Sequence, residues 1–340
     1  MPLNHKIVLA GCGGISRAWL DAVKTIPGLD MAGFVDINEQ AARGRAEEYG
    51  WSDALITTRL EEALDKVRPE VVFDCTIPEA HHSVTLQALA HDCHVLGEKP
   101  LADSLEHARE MVAAAEKSGK LYAVIQNRRY DRNIRRLRQF LDTGAIGEIT
   151  GVYSDFFIGA HFGGFRDHMP NVLLLDMAIH TFDAARFIAG ADPLSVSCQE
   201  WNPAGSWYDQ HASATATFQM TGGVVYGYRG SWCAEGLNTS WNADWRILGT
   251  RGSLRWDGET GFKAQSVVKT GGFFSEWQDL ELPEYEKTEK TGGHAGLIRD
   301  FVDCIENGRT PETICSDNIH SLEMVFGAIQ SAESGAPVRF

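Results

Sequence analysis

The stretch "VLGEKPL", residues 95 to 101, ends an apolar run with a glutamate, a lysine and a proline. A buried parallel strand gains nothing by terminating in two charges and a residue without an N–H. An ammonium fixed at that point, on Lys99, can hydrogen-bond a hydroxyl and stabilise the alkoxide that develops as hydride leaves its carbon. Glu98 can hold that lysine, and Pro100 can fix the backbone through a cis Lys99–Pro100 bond. The plainer reading is a salt-bridged strand end.

A second group lies in "LLLDMAIHTFDAARFIAG", residues 173 to 190, where apolar residues recur at helical spacing. Asp176 and His180 are four apart, hence neighbours on one face of an α-helix. A histidine oriented by a carboxylate is a suitable general base for a hydroxyl proton near neutral pH. Asp183 is a further orienting candidate, and a satisfied histidine in a packed helix is the alternative. Just upstream, Arg166 with His161 and His168 is suited to a carboxylate, sulfonate or phosphate, against the plainer reading of a solvated loop. The histidines show no HExxH or comparable spacing, so no metal site is expected.

These side chains need elements to hold them. Over the first 126 residues strand patterns ("KIVLAG", "MAGFVDI", "ALIT", "VVFDCTI", "HVLGEK", "LYAVIQ") alternate with helical ones, the signature of βαβ units and a parallel sheet. One helix is expected to start at a Ser104 or Asp103 cap and to end at Gly119. The first strand feeds "GCGGIS" into a helix beginning near Ile15. Gly11 and Gly13, followed by Gly14, match a dinucleotide-binding turn, in which glycine lets the backbone approach a pyrophosphate; Ser16 stands where a third glycine is usual. Asp36 ends the second strand, where a carboxylate accepts from the adenosine ribose and repels a 2′-phosphate. NAD is therefore expected rather than NADP, with Arg43 and Arg45 the residues that argue the other way. Ligands of open parallel sheets sit beyond the carboxyl ends of the strands, which also opens to Glu98 a role at the nicotinamide ribose.

After residue 126 the pattern changes. A basic helix, "NIRRLRQFLDTG", reads as a solvated face of Arg132, Arg135, Arg136 and Arg138. Strand-like segments with hairpin signals at 221–223 and 249–252 follow, and helices near 294–307 and 316–332 close the chain. The expected organisation is an α/β dinucleotide-binding domain, 1–126, and an α+β domain, 127–340, with a mostly antiparallel sheet. Seven of the nine tryptophans lie after residue 200, more simply as core or interface than as sugar platforms.

Composition bounds the function. The 340 residues, 44% apolar, can fill two cores. No run approaches a membrane span and the first residues lack signal-peptide features, so a cytoplasmic location is expected. Seven cysteines without a CxxC pair read as reduced thiols. A formal charge of -15 argues against nucleic acid and anionic membranes as partners.

Taken together, "GCGGIS", "VDIN", "TIPEAHH", "HVLGEKPL", "NRRYDRNIRRLRQFLDTGAIGEI", "LLLDMAIHTFD" and "FVDCIENGRTPET" resemble the glucose-fructose oxidoreductase, inositol dehydrogenase and MocA family of nicotinamide-dependent oxidoreductases, over nearly the whole chain. The resemblance implies a Rossmann domain and a second domain whose large open sheet forms a homodimer or homotetramer. It puts the catalytic lysine on Lys99 and the substrate-helix residues on Asp176 and His180. Thr76, Pro78 and His81 match a cofactor-lining segment, and Arg128 or Arg129 would reach substrate or cofactor. Two departures stand out: Asp92 where relatives often have glycine, and the approach "HFGGFRDHMPNVLLLD", whose His161, Arg166 and His168 would remodel the substrate pocket, for example for an acidic sugar. The expected activity is NAD-dependent oxidation of a secondary hydroxyl of a sugar, sugar derivative or polyol. A redox-assisted glycoside hydrolase and a non-catalytic sugar sensor are the alternatives.

Overall fold

Six apolar segments form β1 (His5–Ala10), β2 (Leu29–Val35), β3 (Leu55–Thr57), β4 (Val71–Asp74), β5 (His94–Gly97) and β6 (Tyr122–Val124). In the computed structural model, which describes residues 4–284 and 290–340, they pair in parallel in the order β3-β2-β1-β4-β5-β6. The first three residues of the amino-terminal stretch lie outside those described. The strand order reverses between β1 and β4, where sheets of this topology open a ligand crevice. Ile7, Leu9, Trp19, Phe34, Phe73 and Leu96 belong to one core. Ser104 caps the helix Leu105–Ser118 by accepting from the His107 N–H, and Gly119 ends it in the left-handed conformation. Asp92 takes that conformation too, with φ 61°.

The chain divides into two compact units, Met1–Tyr130 with Thr288–Leu322, and Asp131–Lys287 with Glu323–Phe340. This departs from the expected division of 1–126 and 127–340. The helix His294–Asn307 buries Leu297, Ile298 and Phe301 in the same core as Trp19, and the Tyr130 hydroxyl donates to Asp300 at 2.6 Å. An amphipathic helix belongs wherever its apolar stripe is covered, and sequence order does not state where that is.

The second unit is built on nine strands, β7 (Ile149–Phe157), β8 (Pro193–Trp201), β9 (Ser213–Met220), β10 (Val225–Ser231), β11 (Asp244–Gly249), β12 (Gly252–Trp256), β13 (Phe262–Lys269), β14 (Glu276–Leu280) and β15 (Val338–Arg339). Their order is β14-β13-β12-β11-β7-β10-β9-β8-β15, antiparallel except for β7 and β10. Residues 221–223 join β9 to β10, and Gly249 pairs with Gly252 across the β11–β12 turn. Phe156, Phe182, Tyr226 and Trp245 share a core with Ile134 and Leu137 of the helix Arg132–Asp142. The face of that helix read as solvated is tied down instead: Arg136 donates to the carbonyls of Leu282 and Pro283, and Arg138 to that of Ile188. Long arginine stems can cover apolar surface while their heads find carbonyls. Trp232, Trp245 and Trp256 are buried, whereas Trp201, Trp241 and Trp277 stay exposed. A shallow groove on the sheet is lined by Tyr153, Asp155, Thr215, Arg229, Arg246 and Arg255.

Candidate active site

In the first unit the glycine turn follows β1. Gly11 has φ 86°, and a Cβ there would stand 2.5 Å from the Cys75 carbonyl, so only glycine fits. Gly13 and Gly14 have nothing within 4 Å of a Cβ position, which leaves backbone open to an approaching pyrophosphate. Ser16 opens the helix Ser16–Val23, and its Oγ donates to the Gly13 carbonyl at 2.7 Å. The residue that replaces the third glycine thus braces the loop. Asp36 accepts from the Cys12 and Asn38 N–H groups. Arg45 is buried and donates to the Cys12 and Gly13 carbonyls, while Arg43 pairs with Glu39. Of the two arginines that argued for NADP, Arg45 is thus committed to the glycine turn, while Arg43 stays at the surface. Ile15, Ile37 and Ile77 are exposed apolar side chains around the turn. Open backbone, a helix N-terminus and a carboxylate at the end of β2 fit a dinucleotide.

At the end of β5 the Lys99–Pro100 bond is cis. Glu98 is buried, its Oε1 accepting from the Trp19 Nε1–H at 2.7 Å and its Oε2 from the Lys99 N–H at 3.1 Å. It fixes main chain at the strand end. His294 Nε2 lies 3.9 Å from Glu98 Oε1, a neighbour that spacing could not reveal because it stands 196 positions on. One strand over, Asp74 was also missed. Fully buried, it accepts from the Thr76 N–H and hydroxyl, and its Oδ2 is 2.9 Å from His81 Nδ1. Burial works to lower the His81 pKa, but the charge and hydrogen bond of Asp74, with Glu98 and Glu79 beyond, outweigh it and raise it. Pro78 occupies the first turn of the helix Pro78–Ala90. The signal for Asp74 was present in "VVFD", a charge ending an apolar strand as in "VLGE". Of the two arginines after β6, Arg129 is buried and pairs with the Glu312 carbonyl and Asp317, and Arg128 is half-buried.

In the second unit the expected regular helix differs at its start. Leu173–Ala178 is a π-helical turn, and the α-helix begins only at Ile179. Asp176 lies in that π-turn and His180 in the helix that follows it. Asp176 is met by Arg166, whose Nε donates to Oδ2 at 2.7 Å and whose Nη2 donates to Oδ1 at 3.4 Å. The guanidinium sits 5.0 Å from the Phe162 ring centroid and 4.8 Å from that of Phe165. Gly163 and Gly164, with φ 69° and 70°, turn the chain between those rings. The two histidines do not gather on Arg166. His161 stacks on Trp207 and is 2.8 Å from Glu235; His168 is 2.6 Å from Asp209, whose hydrogen bond and charge raise its pKa. Each has a carboxylate of its own.

The parallel sheet with its glycine turn and terminal Asp36 defines a dinucleotide-binding domain. The chain matches the family model described as "Oxidoreductase family, NAD-binding Rossmann fold" over residues 5–126 and that described as "GFO/IDH/MocA C-terminal domain" over residues 134–255. It belongs to the GFO/IDH/MocA family of oxidoreductases. Similar proteins include the 1,5-anhydro-D-fructose reductase of Ensifer adhaerens, 24% identical over 96% of each chain. The inositol 2-dehydrogenase of Arthrobacter sp. (strain FB24) is 30% identical over 61% of this chain and 62% of its own. Among solved structures, an oxidoreductase from Agrobacterium radiobacter in complex with NAD+, L-tartaric acid and magnesium superposes with a TM-score of 0.85, covering 99% of this chain and 98% of its own at 21% identity.

Proposed function

We propose that this oxidoreductase oxidises a secondary hydroxyl of a sugar, sugar derivative or polyol. Gly11, Gly13, Gly14, Ile15, Ser16 and Asp36 hold NAD, with Thr76, Pro78, His81 and Glu98 beside it. Bound NAD supplies the hydride acceptor. The Lys99 ammonium hydrogen-bonds the reacting hydroxyl and stabilises the developing alkoxide. The His180 imidazole takes the hydroxyl proton, and Asp176 accepts from a neighbouring hydroxyl. The observation that carries this reading is the strand end at Glu98, anchored on Trp19 and on the Lys99 N–H, which fixes the main chain of Lys99 in a sheet that binds NAD. The names of the inositol and anhydrofructose relatives support the substrate class. Because Asp176 takes one edge of Arg166, the outer edge of the fork remains to read an anionic substituent; His161 and Arg128 complete the proposed substrate contacts. The groove on the sheet of the second unit suits a homodimer or homotetramer, and seven free cysteines suit the reducing cytoplasm.

The test is NADH formation by purified protein offered NAD with inositols, aldoses, sugar acids and their aryl glycosides. NADH growth with a free sugar or polyol is the expected result. Release of aglycone that requires NAD but accumulates no NADH would replace this reading with a redox-assisted glycosidase.

A further inference from the structure

Asn171 has φ 47° and stands two residues before the π-helical turn. A non-glycine residue holds that conformation most readily when a polar side chain compensates, and asparagine does so. Its Nδ2 donates to Glu200 Oε2 at 2.7 Å, and its carbonyl accepts from the Leu175 N–H at 3.0 Å. The same residue therefore ties the start of the turn to a strand. Glu200 lies in β8, opposite Ala214 of β9, in the sheet of the second unit. Its other oxygen, Oε1, is buried without a hydrogen-bond partner among the described residues. Burial pushes the carboxyl up to about 7, against the Asn171 bond that lowers it and with Glu333 nearby adding to the rise. A carboxylate with one hydrogen bond is expensive to keep there, and packing alone would be better served by an apolar residue. Among the described residues, its carboxyl hydrogen-bonds the side chain that opens the segment bearing Asp176 and, one turn later, His180. π-turns within helices occur frequently at functional sites.

We propose that Glu200 is a positioning residue: through Asn171 it fixes the start of the segment that presents Asp176 and His180. The proposal rests on the reading of Asp176 and His180 as groups that act on substrate. Glu200 itself touches neither substrate nor cofactor in this account.

Amide hydrogen exchange over residues 170–182 tests it without any substrate. Loss of a hydrogen bond to a charged group should speed exchange there about tenfold or more in Glu200→Ala. Glu200→Gln keeps an acceptor for the Asn171 amide and should stay within about threefold of wild type. Asn171→Gly accepts the left-handed conformation without a side-chain tether, so adding Glu200→Ala to it should change little. Wild-type protection in Glu200→Ala, or additive effects of the two substitutions, would overturn the proposal. Turnover is read in parallel with NAD and myo-inositol, D-glucose and D-glucuronate as probes, with kcat expected to fall in Glu200→Ala and to recover in Glu200→Gln. Asp176→Asn and His180→Asn separate the two ways to fail. If both keep wild-type turnover, the underlying reading fails and takes the proposal with it; if both lose turnover while Glu200→Ala keeps its protection, only the proposal fails.

Discussion

Glu200→Gln should remove a pH-dependent weakness of the fold. Burial raises this carboxyl from an ordinary 4.5 to about 7. At about 1.4 kcal/mol per pH unit the difference is about 3 kcal/mol, an upper figure because the residue is only partly buried. The folded state holds this proton more tightly than the unfolded chain. Below pH 4.5 both states are protonated and nothing is lost; as pH rises from 4.5 through 7 the unfolded chain releases the proton first, and stability falls until the folded group is ionised. Glutamine does not titrate, and whatever its buried amide costs is independent of pH. Thermal unfolding of wild type and variant, at about pH 4.5 and about pH 8, therefore gives the answer as a difference of differences. The variant's advantage should grow by up to roughly 6–12 °C between the two, given about 2–4 °C per kcal/mol for a domain of this size. An advantage that stays constant with pH would refute the burial argument.

Asp36→Ser should raise the KM for NAD about tenfold and shift preference toward NADP in steady-state kinetics, since it removes a charged acceptor and the repulsion of a 2′-phosphate; an unchanged cofactor ratio would count against Asp36 at the ribose. Trp19→Phe leaves Glu98 Oε1 without its indole donor, so urea unfolding should show a loss of about 1–3 kcal/mol at unchanged m. Arg166→Gln should lower turnover on any substrate by about tenfold or more as Asp176 loses the charged hydrogen bond from Arg166, and should also lower the acid-to-neutral ratio of kcat/KM by about tenfold. A fall in turnover with the ratio unmoved would confine Arg166 to holding Asp176.

What could be read from the sequence was local. "GCGGIS", Asp36 and the six strand patterns follow from period and turn chemistry within a few residues, and the left-handed sites at Asp92 and Gly119 are dictated by residue type. The cis bond before Pro100 belongs to the same class of signal. What stayed hidden depends on partners brought together by the fold. Arg166 and Asp176 are ten positions apart, one in the short helix Phe165–His168 and the other in a π-turn, so no periodicity joins them. Glu200 reaches Asn171 from a strand 29 positions on. The helix His294–Asn307 carried a helical pattern but no statement of which core would cover it. Arg43 and Arg45 looked alike in sequence, yet one pairs on the surface and the other is buried against the glycine turn.

The central claim is that Lys99 polarises the hydroxyl whose hydride NAD accepts. It is tested most directly by the rate of NADH formation in Lys99→Ala beside wild type, with NAD affinity measured on the same preparations. The account predicts a loss of kcat of about a hundred- to a thousandfold with NAD binding retained. Near wild-type turnover in Lys99→Ala would contradict it.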